Sequence, residues 1–361
     1  MARPNQARLD LGALRNNLGV ARALTPRSRL MAVVKANAYG HGAVTIAREL
    51  EPLADALAVA SIEEAVELRE AGITAPILLL QGVFEAAELD IASRSGFWIT
   101  VDNERQLRWL EQARLDNPLQ CWLKVDTGMH RLGVTPERTR DFHQRLQNCA
   151  NALDEIVLST HLASADDLDS AQTLQQLQRF ERACDNMPCP RSAANSPGLL
   201  AWPQSHYDWV RPGYMLYGNS PFAQPHPNAE ALQPVMTLVS GIISLRKFAA
   251  GETVGYGGSW TATRPSRIAT VTIGYGDGYP RLAPNGTPVL IRGQRAPLAG
   301  RVSMDMITVD VTGLAGVEIG DEVTLWGDGL PAGEVARHAG TIGYELTTRM
   351  PPRTPRVVTR P

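Results

Sequence analysis

Cysteine, net charge and long apolar runs are all scarce in this chain, and each shortage removes a class of protein. The four cysteines (Cys121, Cys149, Cys184 and Cys189) show neither Cys-x-x-Cys spacing nor histidines at zinc-site intervals. A disulfide framework and a metal site are therefore not expected. With 35 basic and 37 acidic side chains the formal charge is only −2, so no global field favours nucleic acid or an anionic membrane. No run reaches the length of a bilayer crossing. The first residues, Met1-Ala-Arg-Pro-Asn-Gln-Ala-Arg-Leu-Asp10, lack the apolar core of a signal peptide. The expectation is a reduced, cytoplasmic protein. The hydrophobic share of 44% against 20% charged residues is that of an ordinary globular chain. Its 361 residues suit one large barrel plus a smaller domain.

Up to about residue 220, short apolar runs alternate with stretches of helical spacing. The candidate strands are Leu30–Val34, Leu57–Ala60, Ile77–Leu80, Phe97–Val101, Cys121–Val125, Ile156–Thr160, Ser192–Asn195 and Trp209–Tyr214. Ser61-Ile-Glu-Glu64 reads as a capping box that opens a helix running to Ala71, with Gly72 as its stop. Pro136 to Ala150 and Asp166 to Met187 are longer helical candidates. Eight strand–helix units predict an α/β fold, a parallel (β/α)8 TIM-type barrel over residues 1–230. Prolines 221, 225, 227 and 234 mark a linker. Beyond it, Val235–Leu245, Arg267–Ile273, Pro288–Ile291, Met306–Val311 and Glu322–Trp326 alternate or are β-branched. Residues 231–361 thus predict a mostly antiparallel β domain with one helix at Pro331 to Ala339 and an extended, proline-rich tail.

The stretch that organises the rest is Met31-Ala-Val-Val-Lys-Ala-Asn-Ala-Tyr-Gly-His-Gly42. Lys35 emerges from a buried strand, where desolvation favours the neutral amine that forms Schiff bases with carbonyls. Tyr39 and the glycines offer a hydroxyl and close backbone approach to an anion such as phosphate. Further polar clusters fall at strand ends, where barrels collect their chemistry. Leu123-Lys-Val-Asp-Thr-Gly-Met-His-Arg-Leu-Gly133 brings Lys124 and Arg131, whose guanidinium could fork onto a carboxylate. Ser159-Thr-His-Leu-Ala163 brings His161, Asn195-Ser-Pro-Gly198 brings Ser196, and Arg211-Pro-Gly-Tyr214 brings Arg211, Gly213 and Tyr214. The second half supplies Gly251-Glu-Thr-Val-Gly-Tyr-Gly-Gly258, Gly274-Tyr-Gly-Asp-Gly-Tyr-Pro280, Gly300-Arg-Val-Ser-Met-Asp-Met306 and Gly343-Tyr344. Taken singly, each string has an ordinary reading as a surface arginine, a structural histidine, a plain N-cap or a turn tyrosine.

Taken together and in order, they resemble the alanine racemases over nearly the whole chain. The resemblance implies that pyridoxal 5'-phosphate is held on Lys35. It assigns the cofactor contacts to Tyr39, His161, Ser196, Arg211, Gly213, Tyr214 and Tyr344, with Arg211 facing the pyridine nitrogen. An arginine cannot accept a proton there, so the electron sink is modest, which suits brief deprotonation and disfavours transamination. Inverting a stereocentre needs a proton donor or acceptor on both faces of Cα. By resemblance Lys35 serves one face and Tyr256 the other, reaching the site of a second subunit in a homodimer with composite sites. A phenol of ordinary pKa near ~10 would need positive neighbours for that work. Arg131, Met304, Tyr275 and Asp305 are the implied substrate and entrance residues, and a carbamylated Lys124 is implied to orient Arg131. The expected activity interconverts L- and D-alanine, for peptidoglycan or for alanine catabolism. Rival readings are a broader-specificity racemase, a non-catalytic pyridoxal-phosphate carrier and a decarboxylase of the same fold. The second domain argues against the carrier, and Arg211 against the decarboxylase.

Overall fold

In the computed structural model, which describes residues 3–360, the short apolar runs of the first half pair edge to edge and close on themselves. Strand β1 (Gln6–Asp10) comes first and lies outside the ring. The barrel is built from β2 (Arg29–Val33), β3 (Ala56–Val59), β4 (Ile77–Leu79), β5 (Phe97–Val101), β6 (Cys121–Lys124), β7 (Val157–Ser159), β8 (Arg191–Ser192) and β9 (Trp209–Val210). Each strand runs parallel to the next, and β9 returns to β2 through Arg29↔Trp209 and Leu30↔Val210. Ala56–Val59 and Ile77–Leu79 are buried at every position, as expected of strands covered on both faces by the barrel interior and the helices. The seventh and eighth strands of the ring, β8 and β9, are only two residues each, and β8 is held between Leu158↔Arg191 and Ser192↔Trp209.

Several helical expectations shorten in the structure. Pro136 to Ala150 divides into a 3-10 turn at Pro136–Arg138 and a helix at Thr139–Gln147. Asp166 to Met187 becomes Gln172–Ala183. Its first residues form turns in which Asp167 Oδ1 accepts from the Asp169 N–H and Ser170 Oγ from the Gln172 N–H, the side-chain competition that keeps Asp and Ser out of helix interiors. The helix after β3 runs Ile62–Glu70, and Ser61 makes no side-chain cap bond. The expected capping box does not close, because the Glu64 carboxylate is used elsewhere.

The second half forms a mostly antiparallel sheet round β10 (Met236–Phe248). Two small strands, β11 (Thr253–Val254) and β12 (Trp260–Thr261), make a hairpin beside it. The sheet is completed by β13 (Ser266–Val271), β14 (Pro288–Ile291), β15 (Gln294–Pro297), β16 (Ile307–Asp310), β17 (Glu322–Trp326) and β18 (Arg356–Arg360). The expected extended tail includes β18, which lies parallel to β1 in register Ala7↔Arg356. On its other edge β1 pairs antiparallel with β10, so the first strand of the chain belongs to the second sheet. Helices at Ala332–His338 and Gly343–Thr348 lie between β17 and β18. Among the described residues, no helix is long and apolar enough to cross a membrane.

Candidate active site

At the carboxyl end of β2 the backbone turns the wrong way. Ala36, Asn37, Ala38 and Tyr39 have φ of 53°, 54°, 52° and 51°, a left-handed turn that costs roughly 1–2 kcal/mol for each non-glycine residue. Specific contacts offset that strain. The Ala36 N–H donates to Glu64 Oε1 at 2.6 Å, and the Ala43 N–H to Asn37 Oδ1 at 2.7 Å. Arg356 Nε donates to the Gly40 carbonyl at 3.0 Å. His41 is wholly buried, with Nδ1 at 2.9 Å from the Tyr39 carbonyl and 3.0 Å from that of Ala38. Carbonyls only accept, so Nδ1 carries the proton and Nε2 is left without a partner. Gly40 has φ +82°, and a Cβ there would run into the Thr347 carbonyl. The strained turn thus presents Lys35 to a cavity of about 730 Å³. Burial lowers the Lys35 pKa, the Arg131 guanidinium lowers it further, and Glu64 opposes the shift.

Across the cavity, β6 delivers Lys124, and the following loop delivers Arg131. That loop is tied to itself: Asp126 Oδ1 accepts from the N–H groups of Gly128 and His130 at 3.0 Å each. The Lys124 amine is pushed down to about 8, by burial first and then by Arg211 and Arg131. His161 follows β7 in the same wall, its imidazole held well below the ordinary range by burial and by the cations round it. Gln176, fully buried, fixes this corner by donating to the His161 carbonyl at 3.0 Å and to Thr127 Oγ1 at 3.3 Å. Arg211 is buried against backbone, donating to the carbonyls of Thr160 at 2.6 Å and Ala193 at 3.2 Å and to Ser192 Oγ. Burial pushes its pKa down to about 10.

A second wall is made of hydroxyls and backbone donors. Ser196 Oγ accepts the N–H groups of Gly213 at 3.0 Å and Met215 at 3.2 Å. A Cβ on Gly213 would stand 2.5 Å from Tyr39 Oη, so only glycine lets these two lie together. Tyr214 stacks on Tyr344 with ring centroids 3.6 Å apart, and Tyr39 lies within 6.5 Å of both. Lys35, Tyr39, Lys124, Arg131, His161, Ser196, Arg211, Gly213, Tyr214 and Tyr344 therefore line one cavity.

The remaining candidates lie elsewhere on the same chain. Tyr256, in a 3-10 turn between β11 and β12, is 68% exposed. Tyr275 and Met304 are exposed on two loops joined by the Tyr275 N–H to the Ser303 carbonyl and the Gly276 N–H to the Met304 carbonyl. Asp305 pairs with Arg353 on the same surface. Sequence reasoning passed over Asp166, the one acidic residue in the cavity lining, and assigned Glu64 to helix capping. No periodicity singles out Asp166; for Glu64, the placement three residues after Ser61 was itself the misleading signal.

The comparisons agree on both halves of the chain. Residues 9–221 match the alanine racemase N-terminal domain family, and residues 235–358 the alanine racemase C-terminal domain family. The chain belongs to the alanine racemase family. It is 52% identical to the alanine racemase of Chromohalobacter salexigens, over 99% of this chain and 98% of that protein. It is 51% identical to the catabolic alanine racemase of Pseudomonas putida, covering 95% and 96% of the two chains. The biosynthetic alanine racemase of Pseudomonas aeruginosa superposes with a TM-score of 0.95 at 47% identity, over 99% of both chains. Relatives described as biosynthetic and as catabolic thus stand at similar identity to this chain.

Proposed function

We propose that this chain racemises alanine at the cavity ringed by Lys35, Arg131 and Arg211, with pyridoxal 5'-phosphate as its cofactor. The observation that carries the reading is the donor set. Lys35, Lys124, Arg131 and Arg211 line one cavity with Asp166 as the one acid in the lining, a balance that needs anions to complete it. Two kinds of anion fit. The Ser196 hydroxyl, the Gly213 backbone and Tyr39, Tyr214 and Tyr344 suit a phosphate. Arg131 suits the carboxylate of an amino acid. When bound, the cofactor would supply the electron sink that acidifies a Cα proton.

The protein's own groups do the rest. Burial and Arg131 make the Lys35 amine easier to deprotonate than an ordinary lysine, so its Nζ can take and return a proton on one face. Arg211, anchored on three oxygen acceptors, can donate to a ring nitrogen and cannot protonate it. His161, held neutral beside it, cannot protonate that ring either. Lys124 can add CO2 through its neutral amine, forming a carbamate and releasing a proton, and the new negative charge would steady Arg131. The opposite face requires a second acid–base group, and Tyr256 lies outside the cavity of its own chain. We assign that role to the partner subunit's Tyr256 in a homodimer. The loops support this: the Gly255 Cβ position is 3.7 Å from the Arg301 N, and the 300–306 loop in turn adjoins Tyr275. Tyr256, Tyr275, Met304 and Met306 all leave apolar surface exposed there, as an unmade interface would. Met304, Tyr275 and Asp305 are proposed to frame the substrate entrance.

On this reading residues 1–230 carry the cofactor lysine and residues 231–361 carry the second base, with β1 lent across to the latter's sheet. The free cysteines support a reducing, cytoplasmic setting. The first test is Lys35→Ala. The wild-type protein is expected to absorb at roughly 420 nm when loaded and to form D-alanine from L-alanine, and the variant to do neither. An unchanged band in the variant would contradict the assignment.

A further inference from the structure

We infer that Glu64 is a positioning residue for Lys35, clamping the backbone beside the lysine to the end of β3 and placing a negative charge on that side. The inference rests on the proposed role of Lys35. Glu64 sits in the first turn of the helix Ile62–Glu70, where a carboxylate would ordinarily serve its own helix start. Its two oxygens go elsewhere. Oε1 accepts the Ala36 N–H at 2.6 Å, and Oε2 accepts the Ala60 N–H at 2.7 Å. Ala36 directly follows Lys35 and is the first residue of the left-handed turn. The Ala36 N–H points away from the turn's own ladder, and the carboxylate gives it a partner outside that strained segment. Ala60 directly follows β3, which pairs with β2 through Val33↔Ala58. One side chain therefore ties the exits of two neighbouring strands, and charge-assisted bonds of this length are the stronger kind.

The same carboxylate acts on the amine. Arg211 and Asp166 line the same cavity, and the groups that act electrostatically on Lys35 are Arg131 and Lys124 from the β6 side, His161 from the end of β7, and Glu64. Among the groups that act on Lys35, Glu64 is the one carboxylate. It holds the amine nearer its ordinary range while burial and Arg131 press it down. Glutamine at this position keeps the shape, loses the charge and retains one acceptor oxygen for two N–H donors.

The test uses the full chain, stripped of cofactor with hydroxylamine and reloaded with pyridoxal phosphate across a pH series. The adduct is followed by absorbance and located at Lys35 by borohydride reduction and peptide mass. In Glu64→Gln the pH midpoint of adduct formation is expected to move down. Hydroxylamine is expected to strip the loaded variant roughly tenfold faster, as for one lost charged hydrogen bond. Glu64→Asp, which keeps the charge, should restore the midpoint. All measurements are made below the melting temperature of the least stable variant, followed by far-ultraviolet circular dichroism. A purely structural glutamate would leave the midpoint where it is. Coincident midpoints and stripping rates for wild type and Glu64→Gln overturn the inference. If wild-type protein gives no adduct at Lys35, the cofactor assignment itself fails, and that result is distinct from the first.

Discussion

Lys35 can act as a nucleophile or base only as a free amine, and the residues round it are chosen with that in mind. Burial is the largest cause at both amines, and at Lys124, with Arg211 and Arg131 beside it, the pKa falls to about 8. Neither amine is paired closely enough with a carboxylate to undo the effect. His41 shows the same physics in a different role. It lies under the turn, its ring 4.5 Å from Tyr217, and burial pushes its pKa down to about 4. Between the ordinary value near ~6.5 and that value, the unfolded chain binds a proton and the folded one does not. Stability from this group is therefore full above the unfolded pKa and lost as pH falls towards 4. Urea unfolding of wild type and His41→Asn at neutral pH and near pH 5 checks this. Wild type should lose about 2 kcal/mol more than the variant over that interval. Equal losses would mean that His41 is not neutral in the fold.

The decisive element is the left-handed turn of residues 36–39, and it is held from outside. Gly40 lies against the backbone of Thr347, and a Cβ at Gly343 would meet Tyr214 Oη. These two glycines let the turn with Lys35 and Tyr39 pack on the helix that carries Tyr344. Gly40→Ala combines a left-handed alanine with a backbone clash, and should cost about 3 kcal/mol. A thermal melt checks the stability, and cofactor absorbance should weaken in parallel; a melt unchanged from wild type would show that the packing yields easily. This turn also marks what the sequence hid. The apolar run Leu30–Val34 and the glycines at 40 and 42 announced a strand followed by a break. Nothing in Lys-Ala-Asn-Ala-Tyr announced four consecutive left-handed residues, because alanine has no local preference for them. The strands Pro288–Ile291 and Glu322–Trp326 were legible to the residue, since alternation or β-branching marked both ends. β15 escaped notice because Gln-Arg-Ala-Pro carries no apolar signal. His161 and Arg211 stood at or just after strand runs, which placed them at one end of the barrel; their roles, and the inclusion of Arg131 and Tyr344, came from the resemblance to the alanine racemases. Glu64 could not be read, since a helix-capping pattern explained it already.

At the scale of the molecule, the two halves are stitched by the chain ends. β1 and β18 lie side by side in the second sheet. Asp277, fully buried, receives Arg3 through two bonds of 3.0 Å and Arg353 through a third of 3.0 Å. This carboxylate holds the 3-10 turn that carries Tyr275 and, through Arg353, steadies Asp305 on the neighbouring loop. The exposed surface of the β domain is thus presented as a firm platform. It bears the tyrosine that the cavity lacks. On the proposed function, racemisation at one cavity would require two chains, one giving Lys35 and the other Tyr256.

Mixing two inactive variants measures that requirement directly. Lys35→Ala and Tyr256→Phe are each expected to be inactive alone. Co-expressed, they form mixed dimers in which one site joins an intact Lys35 to the partner subunit's intact Tyr256. Random pairing should restore about a quarter of wild-type alanine racemisation, since half the dimers are mixed and each mixed dimer has one working site. Recovery near that level is the result predicted here. Mixed preparations as inactive as the single variants, with wild type active, would place both bases in one chain and contradict the composite site.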